Sequence, residues 1–267
     1  MLRWLLCGVA IVGTALQAHA ADMPDFLRGS STVINTGGGT RWDGFYVGGH
    51  VGASVPGIDF ANNTSAVAAV LNGTPVTSHT ATPLGSMDTT GKHFGGFIGY
   101  NQQWDGAVIG VEASYNWVDK ALTATNGISG GFAPTINVLT YTAVGSETAH
   151  IIDYGTLRVR GGWAAGMFMP YATFGIAVGR MDINRSVAVT PSATASSPVG
   201  AFVPAPFTVT ENLTNQFGYG YAAGLGVDFC LMANLFARAE YEYVQFPNFL
   251  GLNAHMHNVR IGAALKF

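Results

Sequence analysis

Apolar and polar side chains alternate with period two along eight stretches of the chain, and the alternation predicts eight β-strands. The first, 42–55, sets Phe45, Val47, Val51 and Val55 against Tyr46, Gly48, His50, Gly52 and Ser54. The same pattern runs through 92–105, 107–118, 151–166, 171–187, 216–229, 235–245 and 256–267. Charged residues fall on the minority face of these strands, opposite the apolar one. A soluble sandwich has the reverse arrangement, with charge on its outer face. Tight turns are predicted at Asp105 and Gly106, near Met169 and Pro170, and at Ala233 and Asn234. Between the other strands, 56–91, 119–150, 188–215 and the shorter 247–255 are rich in Thr, Ser, Ala, Asn and Pro. That composition reads as solvated loop. Short and long connections therefore alternate. The predicted fold is all-β: an eight-stranded antiparallel transmembrane β-barrel with short periplasmic turns and long extracellular loops.

Composition points the same way. Among 267 residues, 36 are Gly, 12 are Lys or Arg and 15 are Asp or Glu. Hydrophobic residues make up 48% and charged ones 10%, too little charge to cover an ordinary soluble surface. Past the N-terminus no stretch approaches the ~18–20 apolar residues of a membrane helix. Arg3, the apolar run over 5–16 and Ala18, His19, Ala20 predict a leader over 1–20, cleaved after Ala20. A flexible periplasmic segment over 21–41 and the barrel over 42–267 follow. Losing Arg3 leaves 11 cations against 15 anions. Nothing basic is left to attract nucleic acid. Cys230 is then the one remaining cysteine, so no disulfide staples the fold.

The candidate chemistry lies mostly on the inward face. Glu112, Arg158, Arg160, Asp228, Arg238, Glu240, Glu242, Arg260 and Lys266 all alternate inward, with signs opposed between neighbouring strands. Eight strands enclose a space that side chains just fill. Paired charges there read as a structural plug that sets register, in preference to an ion or proton path or a wide diffusion pore. Trp104, Trp163, Phe229 and Phe267 at one end, with Trp117, Tyr241 and Tyr243 at the other, read as interfacial anchors. His93, His255 and His257 at the outer rim are the candidate ligands for a metal or a haem iron. No zincin helix or phosphate loop is present, and Ser54 and Ser114 have no His and acid partners. The chain is therefore read as non-enzymatic and without a cofactor.

Two stretches carry a resemblance: Trp42-Asp43-Gly44-Phe45-Tyr46-Val47-Gly48-Gly49-His50-Val51-Gly52, and the ending Asn258-Val259-Arg260-Ile261-Gly262-Ala263-Ala264-Leu265-Lys266-Phe267. With the Ala-Asp start after the leader, they resemble the small porin-family outer-membrane proteins of alphaproteobacteria, the outer-membrane immunogenic type. The resemblance covers 42–267. It implies an integral outer-membrane barrel in the lipid bilayer, whose loops are surface antigens or adhesive elements able to meet a host or surface ligand, with haemin the first candidate. Phe267, with Leu265 and Ile261 before it, looks like the signal read by the barrel-assembly machinery.

Overall fold

The computed structural model describes residues 40–71, 76–132, 139–193, 203 and 205–267. The predicted leader and nearly all of the 21–41 segment lie outside them. The strands are β1 (Gly44–Asp59), β2 (Val76–Ala81), β3 (Ser86–Asp88), β4 (Gly91–Trp104), β5 (Ala107–Phe132), β6 (Leu139–Trp163), β7 (Phe168–Ala193), β8 (Phe207–Met232), β9 (Leu235–Phe249) and β10 (Leu252–Lys266). A short helix, α1 (Thr64–Ala69), follows β1. No described helix is long and apolar enough to cross a membrane.

Eight strands, β1 and β4 through β10, pair antiparallel in sequence order. β10 then returns to β1, in register from Tyr46↔Lys266 to Asp59↔Asn253. Closure pairs the backbone groups of every strand on both sides, the condition for a sheet to stand in hydrocarbon. β2 and β3 stand outside this ring, β2 against the far end of β5 and β3 against the far end of β1. The turns at Asp105 and at Ala233 and Asn234 lie where the pattern puts them, Asp105 with φ +50°. The third is corrected. Met169 and Pro170 belong to β7, and the reversal is made by Gly166 at φ +65°, closed by the Ala165↔Phe168 bridge. Glycine takes that left-handed conformation without the steric penalty a side chain brings.

The larger correction concerns the stretches read as loops. Most of 119–150 continues β5 and β6, paired from Lys120↔Ile151 to Phe132↔Leu139. Likewise β7 and β8 stay paired out to Val189↔Phe207. β5, β7 and β8 are each 26 residues long, or about 85 Å of strand before tilt. The apolar band of a barrel is ~25 Å tall. More than half of each long strand therefore stands beyond it. The connection at 247–255 also shrinks, to a turn at Leu250 and Gly251 between β9 and β10.

The period of two persists across this boundary, but its polarity inverts. In the lower half, Ile109, Val111, Leu157, Val159, Phe174, Ile176 and Ile261 face outward, while the ring interior is charged. In the upper half, Leu122, Ile128, Ala149, Ile151, Ile183 and Val187 are buried inward. Their alternates Thr123, Thr125, Thr142, Asn184 and Thr190 are exposed. β-Bulges mark the change, between Trp117 and Lys120, Ile151 and Asp153, and Met181 and Ile183. On β6 the inward set is Thr156, Arg158 and Arg160 below the bulge and Glu147, Ala149 and Ile151 above it. An extra residue in the strand exchanges the faces in this way. Phe60, Val67 and Leu71 from α1 and its flanks, with Leu84 from between β2 and β3, complete the upper core.

Polar groups are buried in that upper half as well, among them Asn63, Glu147 and Arg185. Glu147 Oε1 accepts from Asn63 Nδ2 at 2.8 Å and from Arg185 Nε at 2.9 Å. Burial pushes its carboxyl above the usual range, against the pull of Arg185 and Asn63. A carboxyl raised in the folded state adds most stability below the unfolded pKa, and that increment is lost as pH rises through the folded value. Limited proteolysis of the upper half should therefore show a loss of protection as pH rises through and beyond the usual carboxylate range. Glu147→Gln should remove the part of that slope owed to this residue. An unchanged slope in the variant would refute the assignment.

Candidate functional site: the charged barrel interior

The ring interior gathers four guanidiniums and four carboxylates from β5, β6, β8, β9 and β10, all buried. Arg158 is the hub. Its Nη2 donates to Glu112 Oε1 and its Nη1 to Glu240 Oε1, both at 2.5 Å, and Nη1 also reaches Glu242 Oε1 at 2.9 Å. Arg238 donates Nε to Asp228 Oδ1 at 2.9 Å and Nη1 to Glu112 Oε2 at 2.6 Å. Arg260 donates to Glu240 Oε1 at 2.6 Å and Glu242 Oε1 at 3.2 Å. Arg160 donates to Asp228 and lies 3.6 Å from the centroid of the Tyr171 ring. The formal charges cancel, so no single ion is left uncompensated in the low dielectric.

Three phenols complete the set. Tyr46 donates to Glu112 Oε2 at 2.9 Å, Tyr154 to Glu242 Oε2 at 2.8 Å and Tyr171 to Glu240 Oε2 at 2.7 Å. Reading charge alone missed Tyr154 and Tyr171. Their signal was parity, since Tyr154 shares the inward face of Arg158, and Tyr171 that of Thr173. The inward glycines fit the same picture. A Cβ on Gly99 would meet the Tyr46 hydroxyl at 2.3 Å, and one on Gly226 would meet the Tyr171 ring at 2.5 Å.

Lys266 is corrected: it stands apart from the network. It closes β10 at the periplasmic rim, where Nζ donates to the carbonyl of Arg41. Alternation assigns it the inward side, but at the last position of a strand that side is the barrel mouth.

The three histidines do not converge. His93 is buried inside the ring, its imidazole 5.8 Å from that of His50. His255 and His257 lie on the outer face of β10, between buried Ala254, Met256 and Asn258. The barrel wall therefore separates them from His93. Two-residue spacing put His255 and His257 on one face, but it carried no information on which face His93 takes. Among the described residues, no three His, Cys, Asp or Glu side chains are placed to hold a metal ion. Ser54 and Ser114 are buried and bonded to Asn258 and Thr156.

The rim aromatics face outward. Trp104, Trp163 and Phe267 are exposed at one end of the band, and Trp117, Phe217, Tyr219 and Tyr241 at the other. Ile261, Leu265 and Phe267 are exposed on the outer side of β10, and the Phe267 amide donates to the Phe45 carbonyl across the closing seam.

A family model described as outer membrane protein beta-barrel domain matches residues 8–267. The 25 kDa outer-membrane immunogenic protein of Brucella ovis is 26% identical over 186 residues, covering 69% of this chain and 68% of that protein. Its Brucella abortus counterpart is 26% identical over 167 residues, covering 62% of this chain and 57% of that protein, less than two thirds of its length. Among solved structures, the attachment invasion locus protein Ail of Yersinia pestis aligns with a TM-score of 0.35 at 12% identity, covering 84% of this chain and 99% of that one. Neisserial surface protein A aligns with a TM-score of 0.35 at 14% identity, covering 84% and 97%.

Proposed function

The chain belongs to the outer-membrane β-barrel family and sits in the bacterial outer membrane, and on that premise we propose that it is a closed structural barrel that displays a folded cap at the cell surface. The observation that carries this reading is the filled interior. Within the apolar band, Arg158, Arg160, Arg238 and Arg260 bridge Glu112, Asp228, Glu240 and Glu242 across the ring. Above it, the cap is packed with Ile58, Phe60, Leu122, Ile151, Ile183 and Phe246. Ion pairs below and an apolar core above form two different barriers in series, and a hydrated solute would have to disrupt both. Display follows from the polar outer faces of the long hairpins, which suit water and not lipid. The outward row Ile261, Leu265 and Phe267 on the closing strand is the segment proposed to engage the assembly machinery.

The test is electrical. The full chain, refolded into planar bilayers, is expected to give no stable conductance steps. Reproducible ohmic steps of the size given by open porins would overturn the closed-barrel reading.

A further inference from the structure

At the upper edge of the apolar band, the barrel surface over β8, β9 and β10 carries a row of hydrogen-bonding side chains where that over β4 and β5 carries an aromatic stack. On β4 and β5 that edge is Phe94 against Trp117, ring centroids 5.4 Å apart. On β8, β9 and β10 it is a cross-strand row of Tyr221, Gln245 and His255, with Tyr243 and His257 paired in the row beneath. All five point outward, since their chain neighbours Ala222, Val244, Ala254 and Met256 are buried.

The bonding within this arc leaves a defined remainder. Tyr221 and Tyr243 both donate their hydroxyl protons to Gln245 Oε1, the latter at 2.9 Å. The Gln245 carbonyl oxygen is thereby satisfied, and its Nε2 keeps two N–H donors for a further partner. The Tyr241 hydroxyl lies 2.7 Å from His257 Nδ1. With that hydroxyl donating, the imidazole proton resides on Nε2, a second outward donor. The His257 ring is 5.1 Å from that of Tyr243, and Tyr219 nearby is 74% exposed. The charged neighbour of this arc is Asp88 of β3, whose Oδ1 lies 3.9 Å from His255 Nε2 and so takes His255 out of the free donors. The N–H donors of Gln245 and His257 and the open aromatic faces together suit a ligand with many acceptor oxygens and a C–H face for stacking.

We propose that Gln245, His257, Tyr221 and Tyr243 form a binding site for the phosphorylated-sugar headgroup of an outer-leaflet lipid. The proposal rests on the membrane placement above. The depth is appropriate: the arc lies where outward side chains change from apolar to polar, at the level of headgroups and below the water-exposed cap.

Native mass spectrometry of the detergent-folded full chain tests it, with purified lipopolysaccharide as the probe. Lipopolysaccharide is expected to remain bound through delipidation, and neither phosphatidylglycerol nor inorganic phosphate should displace it. A Gln245→Glu, His257→Leu variant replaces two donors with an acceptor and an apolar group. Its retention should fall roughly tenfold or more. Trp117→Leu, on the opposite arc, should retain the lipid as the parent does. Each variant is checked for folding by its heat-dependent gel mobility, and Gln245→Glu alone serves if the pair fails to fold. Equal retention by parent and variant, or displacement by either competitor, would overturn the site. A parent chain that neither inserts into vesicles nor shows the mobility shift would refute the barrel placement itself, a separate failure.

Discussion

Arg158→Met is expected to destabilise the folded barrel by about 3–5 kcal/mol, the cost of removing one partner from a buried ion cluster. The upper part of that range applies because Arg158 serves Glu112, Glu240 and Glu242 at once. The variant leaves four carboxylates facing three guanidiniums, and all four carboxylates are buried. Adding Glu242→Gln restores neutrality while keeping the shape, and should recover a large part of the loss. Non-additivity of that kind is the signature of groups acting in one network. The exposed Arg41–Asp43 pair, 61% open on the arginine side, is the contrast. Arg41→Met should change stability by less than ~1 kcal/mol. Urea unfolding of the vesicle-inserted protein reads all three variants. An Arg158→Met barrel as stable as the parent, or a double variant no better than the single, would show that the interior charges are not coupled.

Much of this interior is legible in the sequence, because parity in a strand is a binary property that the chain states directly. Glu112, Arg158, Arg160, Asp228, Arg238, Glu240, Glu242 and Arg260 lie on the inward faces their alternation assigns. Neighbouring-strand pairs such as Asp228↔Arg238 and Arg260↔Glu240 follow once strand order is known. Contacts across the ring do not follow. Arg158 with Glu240, and Arg238 with Glu112, join strands that are not neighbours, and only closure brings them together. The cap was illegible for a different reason. Its outward residues, Thr123, Thr125, Thr142, Thr148 and Thr190, are β-branched and strand-forming, yet Thr among Ser, Ala and Asn also describes a loop. On β5 and β7 the inward parity runs straight through, and only the polarity of the two faces inverts; on β6 a bulge changes the parity as well. One extra residue on β6 moves the inward set from even to odd numbers, and a single alternating template breaks there.

Adjacent residues on β5 give the sharpest test of that cap. Leu122→Arg and Thr123→Arg insert the same charge one position apart in the stretch whose composition suggests loop. Leu122 is buried inward, 3% exposed, whereas the Thr123 hydroxyl lies on the outer face, 2.8 Å from that of Thr148. If 119–150 were loop, both changes would be nearly silent. In a folded cap, Leu122→Arg buries an unpaired guanidinium among Ile151, Val118 and Ala149, and should cost about 3 kcal/mol or more. Thr123→Arg faces water and should stay within about 0.5 kcal/mol. A third position locates the membrane. Val159, 59% exposed on the outer face of β6 below the bulge, should cost about 2–4 kcal/mol as Arg, the price of an arginine near the bilayer midplane of a barrel. The outward position is thus tolerant above the bulges and intolerant below them, and the inward position of the cap is intolerant throughout. Limited proteolysis of the inserted protein reads the cap, and the urea midpoint reads the band. A silent Leu122→Arg would mean the cap is not packed. A silent Val159→Arg would place the bilayer elsewhere on the barrel, and the headgroup arc with it.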